Sequence, residues 1–432
     1  MSRRPRGVLA SVGGIFAAVA LVAAGCSNSS SGVSAGGASP GVTGNEIDVG
    51  SIADITGPLS SDFAPVVSGV RAYFDMVNAE GGVAGRKLKL VDAEDDQGAP
   101  SIDLTVAQKL VSRPVFAIVG VGTPFFGAAH YLAGKGTPTF GYVISTDWQG
   151  PPGFFGSFGS VLDYATGAPG YAFVASQLHA QSVAVVSYGI IQSSAACNAA
   201  VTGMRQLGVN VTFVDTNFTL GSDPTADVLQ MKSKNVDLLL TCIDVTGDIN
   251  FTRSILQNGL SLKQIWLNGY DRPTLQQYGS LMNGVYLLVQ HVPFEAADSF
   301  PGKYPGLDAY IQQMNKYEPQ NTYNETAMTG WISADLFVTG LKRVGRDLTQ
   351  KKLIATLNKI TDYNSNGLQP PIDWTTAHTQ ALPPFCGSYV VAFNGKFVPI
   401  FVQPNDEVFS CFGSTTSDTP VPGKPGTPGQ SS

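Results

Sequence analysis

Apolar runs of strand length alternate with segments of helical period along most of this chain. Such alternation predicts a mostly parallel sheet, because parallel strands need a crossover, usually a helix, between them. The predicted strands are 47–54, 88–93, 116–121, 139–143, 183–188, 211–214, 236–243, 265–267 and 285–290. The predicted helices between them include 64–78, 102–111, 198–207, 225–233 and 250–259.

This many strands exceeds one comfortable open sheet, and the Gly/Phe-rich stretch 150–159 follows a strand without an intervening helix. We therefore expect the chain to cross there into a second sheet. Two long helical patterns, 323–344 and 348–360, then precede two antiparallel strands, with Asn394-Gly395 as a two-residue hairpin turn between 389–393 and 397–401.

The pattern predicts an α/β fold of two lobes with mostly parallel sheets, linked by several chain crossings. The first lobe comprises residues 46–160 and 291–366, and the second comprises residues 161–290 and 367–413. In such an arrangement a ligand cleft lies between the lobes, at the carboxyl ends of the strands.

Composition narrows the class of protein. At 432 residues the chain is long enough for two domains, and its 43% hydrophobic and 13% charged residues exclude a largely disordered chain. There are 26 Lys and Arg against 32 Asp and Glu, with no basic block long enough to follow a phosphate backbone. No nucleic-acid partner is therefore expected.

The N-terminus has the features of an export signal. Arg3, Arg4 and Arg6 precede an apolar run over 8–24, which ends in Leu21-Val22-Ala23-Ala24-Gly25-Cys26. Small residues before a cysteine resemble a bacterial lipobox, which implies removal of residues 1–25, lipidation of Cys26 and an extracytoplasmic location anchored to the membrane. Ordinary secretion and an uncleaved membrane anchor are the alternatives.

Residues 27–45 are rich in Ser and Gly, which predicts a flexible tether, and residues 414–432 have the character of a disordered tail. Beyond the export signal, no second hydrophobic stretch reaches the length of about 18 residues that a membrane-spanning helix needs. We expect the folded body to span about 46–412.

Beyond Cys26 the cysteines are Cys197, Cys242, Cys386 and Cys411, an even number in a chain expected to be exported. Four cysteines permit three pairings. We favour Cys197–Cys242 and Cys386–Cys411, because each pair then lies within one stretch of the second lobe. A zinc site is the rival interpretation, but no short Cys/His spacing supports it, and no metal or cofactor is expected.

Several motifs in the first lobe identify a resemblance. In order they are GPLS at 57–60, NAEGGVAGRKLKLV at 78–91, DD at 95–96 followed by Pro100, KLV at 109–111 and AIVG at 117–120. This series resembles the type I periplasmic solute-binding proteins, above all the leucine/isoleucine/valine-binding proteins of ABC importers. The resemblance implies two Rossmann-like lobes, joined by three hinge crossings, that close on a small ligand.

Candidate ligand residues in the first lobe follow its strands. Thr123 suits the N-cap of a helix with Pro124 at its first position, and the free amides there suit a ligand carboxylate. A plain capped helix is the alternative. The resemblance implies that Val143 and Ser145 offer a backbone carbonyl and a hydroxyl to the ligand. Trp148 either walls the pocket or packs on its own lobe.

Ser60 and Ser61 open the first strand-to-helix loop near the cleft. They are candidates for ligand binding, and helix capping explains these two serines equally well. In the second lobe, Gln192 and Asp244 stand where the amino-acid binders place aromatic residues. Tyr270 and Asp271 are nearest to the expected acidic residue. Asp244 or Asp271 could pair with a buried ammonium group, although each is also an ordinary acid at a strand end.

The function implied is that of an extracytoplasmic solute receptor, which binds a small polar or zwitterionic molecule and delivers it to an ABC permease. A sensory module of the same fold, signalling to a membrane partner, is the alternative. An enzyme is not expected, because the sequence has no nucleophile elbow, phosphate loop or His-Glu-x-x-His motif.

Overall fold

The computed structural model describes residues 39–162, 168–381 and 385–412, which form two sheets flanked by helices. The predicted export signal, Cys26 and the tail 414–432 lie outside these residues. Residues 39–45 are ordered, whereas the sequence predicts a flexible tether over 27–45. The backbone N–H of Asp48 donates to the carbonyl of Gly41 at 2.7 Å, and Val42 packs against the core. Ordered packing therefore starts before the first strand.

The first sheet, which we call sheet A, has five parallel strands in the order β2-β1-β3-β4-β5. Every residue of the middle strand β3 is buried, as expected for a parallel strand covered on both faces. The strands are β1 (Glu46–Ala53), β2 (Lys87–Asp95), β3 (Ala117–Gly122), β4 (Thr139–Gly141) and β5 (Phe154–Gly156).

The strand β5 corrects one expectation. The stretch 150–159 was expected to lead directly into the second sheet, yet Phe154–Gly156 pairs in parallel with Thr139–Gly141 as the edge strand of sheet A. Phe155 stacks on Phe140 with ring centroids 5.1 Å apart, and this buried pair holds the short strand in place. The crossing therefore comes after β5.

The second sheet, sheet B, follows the order β12-β11-β10-β9-β8-β6-β7, with β13 paired to β11. Its five strands from the middle of the chain run parallel, whereas β11 runs antiparallel to β10, β12 and β13. The strands are β6 (Val183–Tyr188), β7 (Val211–Phe218), β8 (Leu238–Cys242), β9 (Lys263–Trp266), β10 (Val285–Val289), β11 (Phe385–Phe393), β12 (Lys396–Ile400) and β13 (Ser410–Phe412).

The hairpin predicted at Asn394-Gly395 is confirmed. Both residues have positive φ, +50° and +73°, the conformation that a two-residue hairpin turn requires and that Asn and Gly tolerate. All nine strands predicted upstream are present in the described residues, with ends shifted by a few positions.

Helices connect and cover these strands. They are α1 (Ser60–Phe63), α2 (Val66–Ala79), α3 (Pro100–Ser112), α4 (Ala129–Lys135), α5 (Pro169–Gln177), α6 (Ile191–Gln206), α7 (Thr225–Ser233), α8 (Val245–Gln257), α9 (Arg272–Met282), α10 (Ala296–Ser299), α11 (Pro305–Tyr317), α12 (Glu325–Val344) and α13 (Gln350–Leu357). Helix α6 begins seven residues before its predicted start, because polar residues in its first turns interrupt the apolar period.

Helices α2 and α12 cross at unusually short range on sheet A. A Cβ added to Gly330 would lie 1.9 Å from the carbonyl oxygen of Val66, and one added to Gly69 would lie 1.9 Å from that of Ala327. Beside the crossing, Tyr73 packs edge-on against Trp331 with centroids 4.7 Å apart. The two glycines therefore permit backbone contact between the helices.

In the described part of the chain, the path passes between the two sheets three times. It leaves sheet A after β5, returns after β10 to place α12 against α2 and β3, and leaves again before β11. This path agrees with the α/β fold with mostly parallel sheets that the sequence predicts.

Both favoured disulfides are present. Cys197 of α6 is bonded to Cys242 at the end of β8, and Cys386 of β11 is bonded to Cys411 of β13. The first joins a helix to the strand beneath it, and the second joins neighbouring strands. Among the described helices, none combines the length and the apolar character needed to cross a membrane.

Candidate functional site

A cavity of about 190 Å³ lies where the carboxyl ends of strands from both sheets meet. Loops after β1, β3 and β4 line one side, and the ends of β6, β8, β9 and β10 line the other. Its lining residues are Leu59, Asp62, Phe63, Pro124, Tyr142, Val143, Ile144, Leu162, Tyr171, Tyr188, Ile190, Gln192, Ser193, Ala196, Cys242, Ile243, Asp244, Leu267, Asn268, Leu288, Gln290 and Glu325. This is the position at which open parallel sheets bind ligands.

Asp244 is held rigidly at the wall of the cavity. It is the N-cap of α8, and its carboxylate accepts hydrogen bonds from the backbone N–H groups of Thr246 at 3.0 Å and Gly247 at 3.3 Å. The hydroxyl of Tyr188 donates a further short hydrogen bond to Oδ1 of the same carboxylate. Burial and this neighbouring carboxylate raise the pKa of Tyr188, so the hydroxyl remains a donor at neutral pH.

Asp62 reaches the cavity from α1, the short helix that follows β1. Burial is the largest cause that raises the pKa of its carboxyl well above the usual range, and the negative charges of Asp244, Asp271 and Asp54 raise it further. The Ser61 hydroxyl opposes this shift by a hydrogen bond. The backbone carbonyl of Asp62 also accepts a hydrogen bond from Thr326 of α12 at 2.7 Å, which fixes α1.

Glu325 is the first residue of α12 and reaches the cavity from the return crossing. Burial, followed by the charge of Asp271, raises the pKa of Glu325 to about 8, while the backbone N–H of Gln290 lowers it. Acidic groups from both sides of the cavity therefore act on one another.

The first turn of α6 supplies polar atoms. Ser193 Oγ accepts a hydrogen bond from the backbone N–H of Tyr188 at 2.8 Å and donates to the carbonyl of Cys242, so its only hydroxyl proton is already used within the protein. Gln192 Oε1 is buried and has no hydrogen-bond partner. An unpaired buried acceptor is costly, so this amide oxygen is ready to accept from a ligand.

Three of the residues predicted from the sequence line the cavity: Val143, Gln192 and Asp244. The structure brings them together from β4, β6 and β8, as the strand order requires. Ligand contact by these three residues stays a prediction.

The other predicted residues lie outside the lining. Ser60 and Ser61 start α1 between the lining residues Leu59 and Asp62. Ser145 is buried and donates to Asp147 Oδ2 at 2.9 Å.

After β9, Asp271 caps α9 by accepting a hydrogen bond from the Thr274 N–H at 2.7 Å. Tyr270 is buried, and its hydroxyl donates to Glu295 Oε2 at 2.6 Å and accepts from the Phe294 N–H at 2.7 Å. Both residues are thus engaged in the protein's own hydrogen bonds, next to the cavity rather than on its wall.

Thr123 does not cap a helix, which corrects the expectation drawn from Thr123-Pro124. The nearest helix, α4, begins at Ala129, and Thr123 is buried with Oγ1 bonded to the backbone of Phe125. The carboxylate of Asp103 accepts from the N–H of Ala128 at 2.8 Å. This position at the start of α4 is therefore taken by an acid of the chain itself rather than left for a ligand.

Trp148 packs on its own side of the molecule, the alternative named for it above. Its ring lies 4.8 Å from that of Phe126 and 5.8 Å from that of Phe154, and only 1% of the residue is exposed. The aromatic side chains that do line the cavity are Phe63, Tyr142, Tyr171 and Tyr188.

One group of acids in the described residues has the spacing of a cation site. Carboxylate oxygens of Asp54, Asp95 and Asp96 lie within 4.8 Å of one another beyond β1 and β2. Each accepts backbone hydrogen bonds from the adjoining loops, with the N–H groups of Gly57, Ile55 and Gly98 at 2.6, 2.9 and 2.9 Å respectively. These bonds give the three acids a structural role in shaping the first loops.

Sequence reasoning missed two acids of the cavity, Asp62 and Glu325. Asp62 lies just after Ser61 in the first loop, so the position was within reach, but the pattern there indicated only helix capping. Glu325 comes from the return crossing, far along the chain from every other acid of the lining. Glu325 reaches the cavity only because the folded chain returns to the side of sheet A after β10.

Comparison with known proteins gives a family. A family model described as periplasmic binding protein matches residues 46–393. Among curated proteins, the Leu/Ile/Val-binding protein BraC3 of Rhizobium johnstonii is 33% identical over 75 residues, which is 17% of this chain and 20% of that protein. The match thus spans one fifth of the relative's length.

Solved structures share the fold over most of the chain. A fatty acid ABC transporter substrate-binding protein from Thermomonospora curvata has a TM-score of 0.71 at 17% identity, covering 89% of this chain and 97% of its own. A branched chain amino acid ABC transporter from Thermus thermophilus with bound valine has a TM-score of 0.67 at 18% identity, covering 82% and 95%. At this identity the likeness establishes the architecture alone.

Proposed function

This chain belongs to the periplasmic binding protein family, and from that premise we propose that it is the extracytoplasmic solute receptor of an ABC importer. The family and the structural neighbours are solute-binding proteins rather than enzymes. The receptor captures a small polar or zwitterionic solute, such as an amino acid or an amide, and presents it to a membrane permease.

The observation that carries this proposal is a single cavity lined from both sheets at the carboxyl ends of their strands. A ligand there touches both predicted lobes, 46–160 with 291–366 and 161–290 with 367–413. Contacts made to both lobes at once stabilise the closed state relative to the open one. Hinge closure then gives the permease a signal that ligand is bound.

We assign direct ligand contacts to Val143, Gln192 and Asp244, together with Asp62 and Glu325, because these residues line the cavity. Ser60, Ser61, Thr123 and Ser145 shape the loops behind this wall. Tyr270 and Asp271 fix the start of α9, and Trp148, in the turn between β4 and β5, packs against Phe154 of β5.

The relatives do not identify the solute that this chain binds. One neighbour is named for fatty acids and another holds valine, and these ligands differ in charge and shape. We infer attachment to the outer face of the cell membrane through lipid on Cys26, because small residues precede this cysteine after an apolar segment. That anchor would keep the receptor close to its permease.

A binding screen followed by solution scattering tests the proposal. The purified protein is screened by thermal shift against amino acids, short amides and amines, because a ligand that binds only the native state raises the melting temperature. Small-angle scattering is then recorded with and without each ligand that binds. We expect a smaller radius of gyration with ligand. Binding in the cavity without compaction would contradict hinge closure. If no compound of the panel bound, the proposed function as a solute receptor would be contradicted.

A further inference from the structure

We propose that the cavity selects a primary amine that carries no carboxylate, so that the solute is a net cation rather than a zwitterion or an acid. This inference rests on the receptor function proposed above and names its class of solute. It is carried by the charges, the free acceptor and the aromatic rings that face the cavity.

The described lining of the cavity can carry negative charge but no positive charge. Asp62, Asp244 and Glu325 line it, and the described lining contains no Lys, Arg or His. Within the described residues, none of the three acids forms an ion pair. The cavity therefore lacks an internal counter-charge.

The acids oppose one another's ionisation across the cavity. The charges of Asp244 and Asp271, from the sheet B side, raise the pKa of Asp62 on the sheet A side, and Asp271 does the same to Glu325. Burial and this opposition favour the protonated forms of Asp62 and Glu325 when no ligand is present. A bound cation favours the ionised carboxylates instead and is attracted by them. A ligand anion would add a further like charge.

Neutral groups of the lining also suit an ammonium group. Gln192 Oε1 is a buried acceptor without a partner, and an ammonium group offers three N–H donors. Phe63, Tyr142, Tyr171 and Tyr188 surround the same space, and aromatic ring faces attract cations. The apolar part of the amine would pack against Leu59, Ile144 and their neighbours.

Most helices that start near the cavity offer few free backbone amides to a ligand carboxylate. The first amides of α8 are already bonded to Asp244, those of α9 to Asp271 and those of α12 to Asn324. Helix α6 starts without a side-chain cap, so the first amides of α6 are the donors that remain, while the Ser193 hydroxyl in its first turn donates a hydrogen bond to the carbonyl of Cys242. A zwitterion would thus make favourable contacts through its ammonium group but unfavourable ones through its carboxylate.

Two matched sets of three compounds test this inference by calorimetric titration. One set is 3-methylbutylamine, leucine and 4-methylpentanoate, and the other is phenethylamine, phenylalanine and 3-phenylpropanoate. Within each set the apolar group is constant and only the charged groups change. We expect one of the amines to bind at least tenfold more tightly than its matched amino acid, with no measurable binding of the two acids.

The variant Asp62→Asn tests the contribution of the carboxylate charge at residue 62, because asparagine has nearly the same shape as aspartate but cannot ionise. We expect it to weaken amine binding at least tenfold, because the amide cannot ionise to pair with the cation. The melting temperature of the ligand-free protein should not fall, because ionisation of Asp62 is already disfavoured there. Glu80→Gln is the control, because Glu80 is exposed far from the lining, and it should leave the affinity unchanged. A variant Asp62→Asn that binds the amine as tightly as the parent protein would overturn the inference.

The outcomes distinguish this inference from the receptor function. Tighter binding of an amino acid, or of either acid, would refute a cationic solute but leave a solute receptor intact. Failure of both amines in the titrations and of every compound in the wider screen would refute both proposals.

Discussion

The Tyr188 hydroxyl and the Asp244 carboxylate join the end of β6 to the start of α8 at the cavity wall. Tyr188 donates to Oδ1 of Asp244, which also accepts from the N–H of Gly247. A Cβ on Gly247 would come within 2.6 Å of the tyrosine oxygen, so the glycine makes room for this bond. One carboxylate thus caps a helix, anchors a neighbouring strand and faces the ligand space.

Tyr188→Phe should lower the free energy of unfolding by about 1–2 kcal/mol, because a buried hydrogen bond to a charged acceptor is lost. The ring and its stacking on Phe218 remain. Urea denaturation followed by circular dichroism measures the change. Tyr131→Phe is the matched control, since the Tyr131 hydroxyl donates no hydrogen bond to any residue that the structure describes, and it should change stability by less than about 0.5 kcal/mol. Equal effects in the two variants would contradict the role given to Tyr188.

Glu325→Gln should remove a pH dependence of stability. The folded state holds the proton of Glu325 up to a pKa of about 8, above the ordinary value of 4.5. Between these two values the folded state binds more protons than the unfolded state, so this carboxyl stabilises the fold below about pH 4.5 and that contribution is lost as the pH rises to about 8.

Melting temperatures at several pH values check the predicted direction of this pH dependence. Relative to the parent protein, Glu325→Gln should become more stable as the pH rises from 5 to 8. Glu318→Gln, in an exposed position nearby in sequence, should track the parent protein throughout. A difference between Glu325→Gln and the parent that stays constant with pH would show that burial does not perturb this carboxyl.

Gly330→Ala should destabilise the crossing of α2 and α12 by about 2–3 kcal/mol. The added methyl group would lie 1.9 Å from the Val66 carbonyl oxygen, so one helix must move away from the other. The gain in helix propensity, about 1 kcal/mol, is too small to offset this. Thermal and urea unfolding measure the loss.

Gly134→Ala provides the comparison, because a Cβ there meets nothing within 4 Å and the residue lies within a helix. It should be neutral or stabilise by about 0.5–1 kcal/mol. If Gly330→Ala behaved like Gly134→Ala, close helix contact would not be what requires glycine at residue 330.

The two disulfides should contribute similarly to stability and differently to binding. They close loops of 45 and 25 residues, so replacing either pair by alanine should cost about 3–4 kcal/mol. Cys242 lines the cavity, whereas neither Cys386 nor Cys411 does. Only loss of the Cys197–Cys242 bond should therefore also weaken ligand binding, as titration would measure. Peptide mapping without reduction that joined Cys197 to Cys386 or Cys411 would contradict the pairing.

Much of the fold followed from periodicity in the sequence. The strand Val183–Tyr188 and the helix Thr225–Ser233 have the predicted bounds, because apolar runs and amphipathic stretches are bounded there by clear turns. Strand β5 was missed since three residues, Phe154–Gly156, are too few to show a period. Helix α4 starts later than Thr123-Pro124 suggested, because Asp103, from another helix, bonds to the Ala128 amide.

The cavity was predictable only in part. Gln192 and Asp244 follow strands β6 and β8 directly, so strand order alone places them at the carboxyl edge of sheet B. Glu325 has no such signal, because its position depends on the return crossing and on the packing of α12 against α2. Tyr270 and Asp271 also follow a strand, yet hydrogen bonds to Glu295 and Thr274 direct them away from the cavity wall.

The late position of β11 in the chain affects how the protein escapes aggregation during synthesis. Strand β10, with the sequence Val-Tyr-Leu-Leu-Val, gains its second neighbour only when residues up to Phe393 have been made. Until then an apolar strand edge is available to pair with other chains. The hairpin of β11 and β12 then covers it. A chain that stops before residue 385 would keep that edge open, so truncated products should aggregate even though most of both sheets has been synthesised.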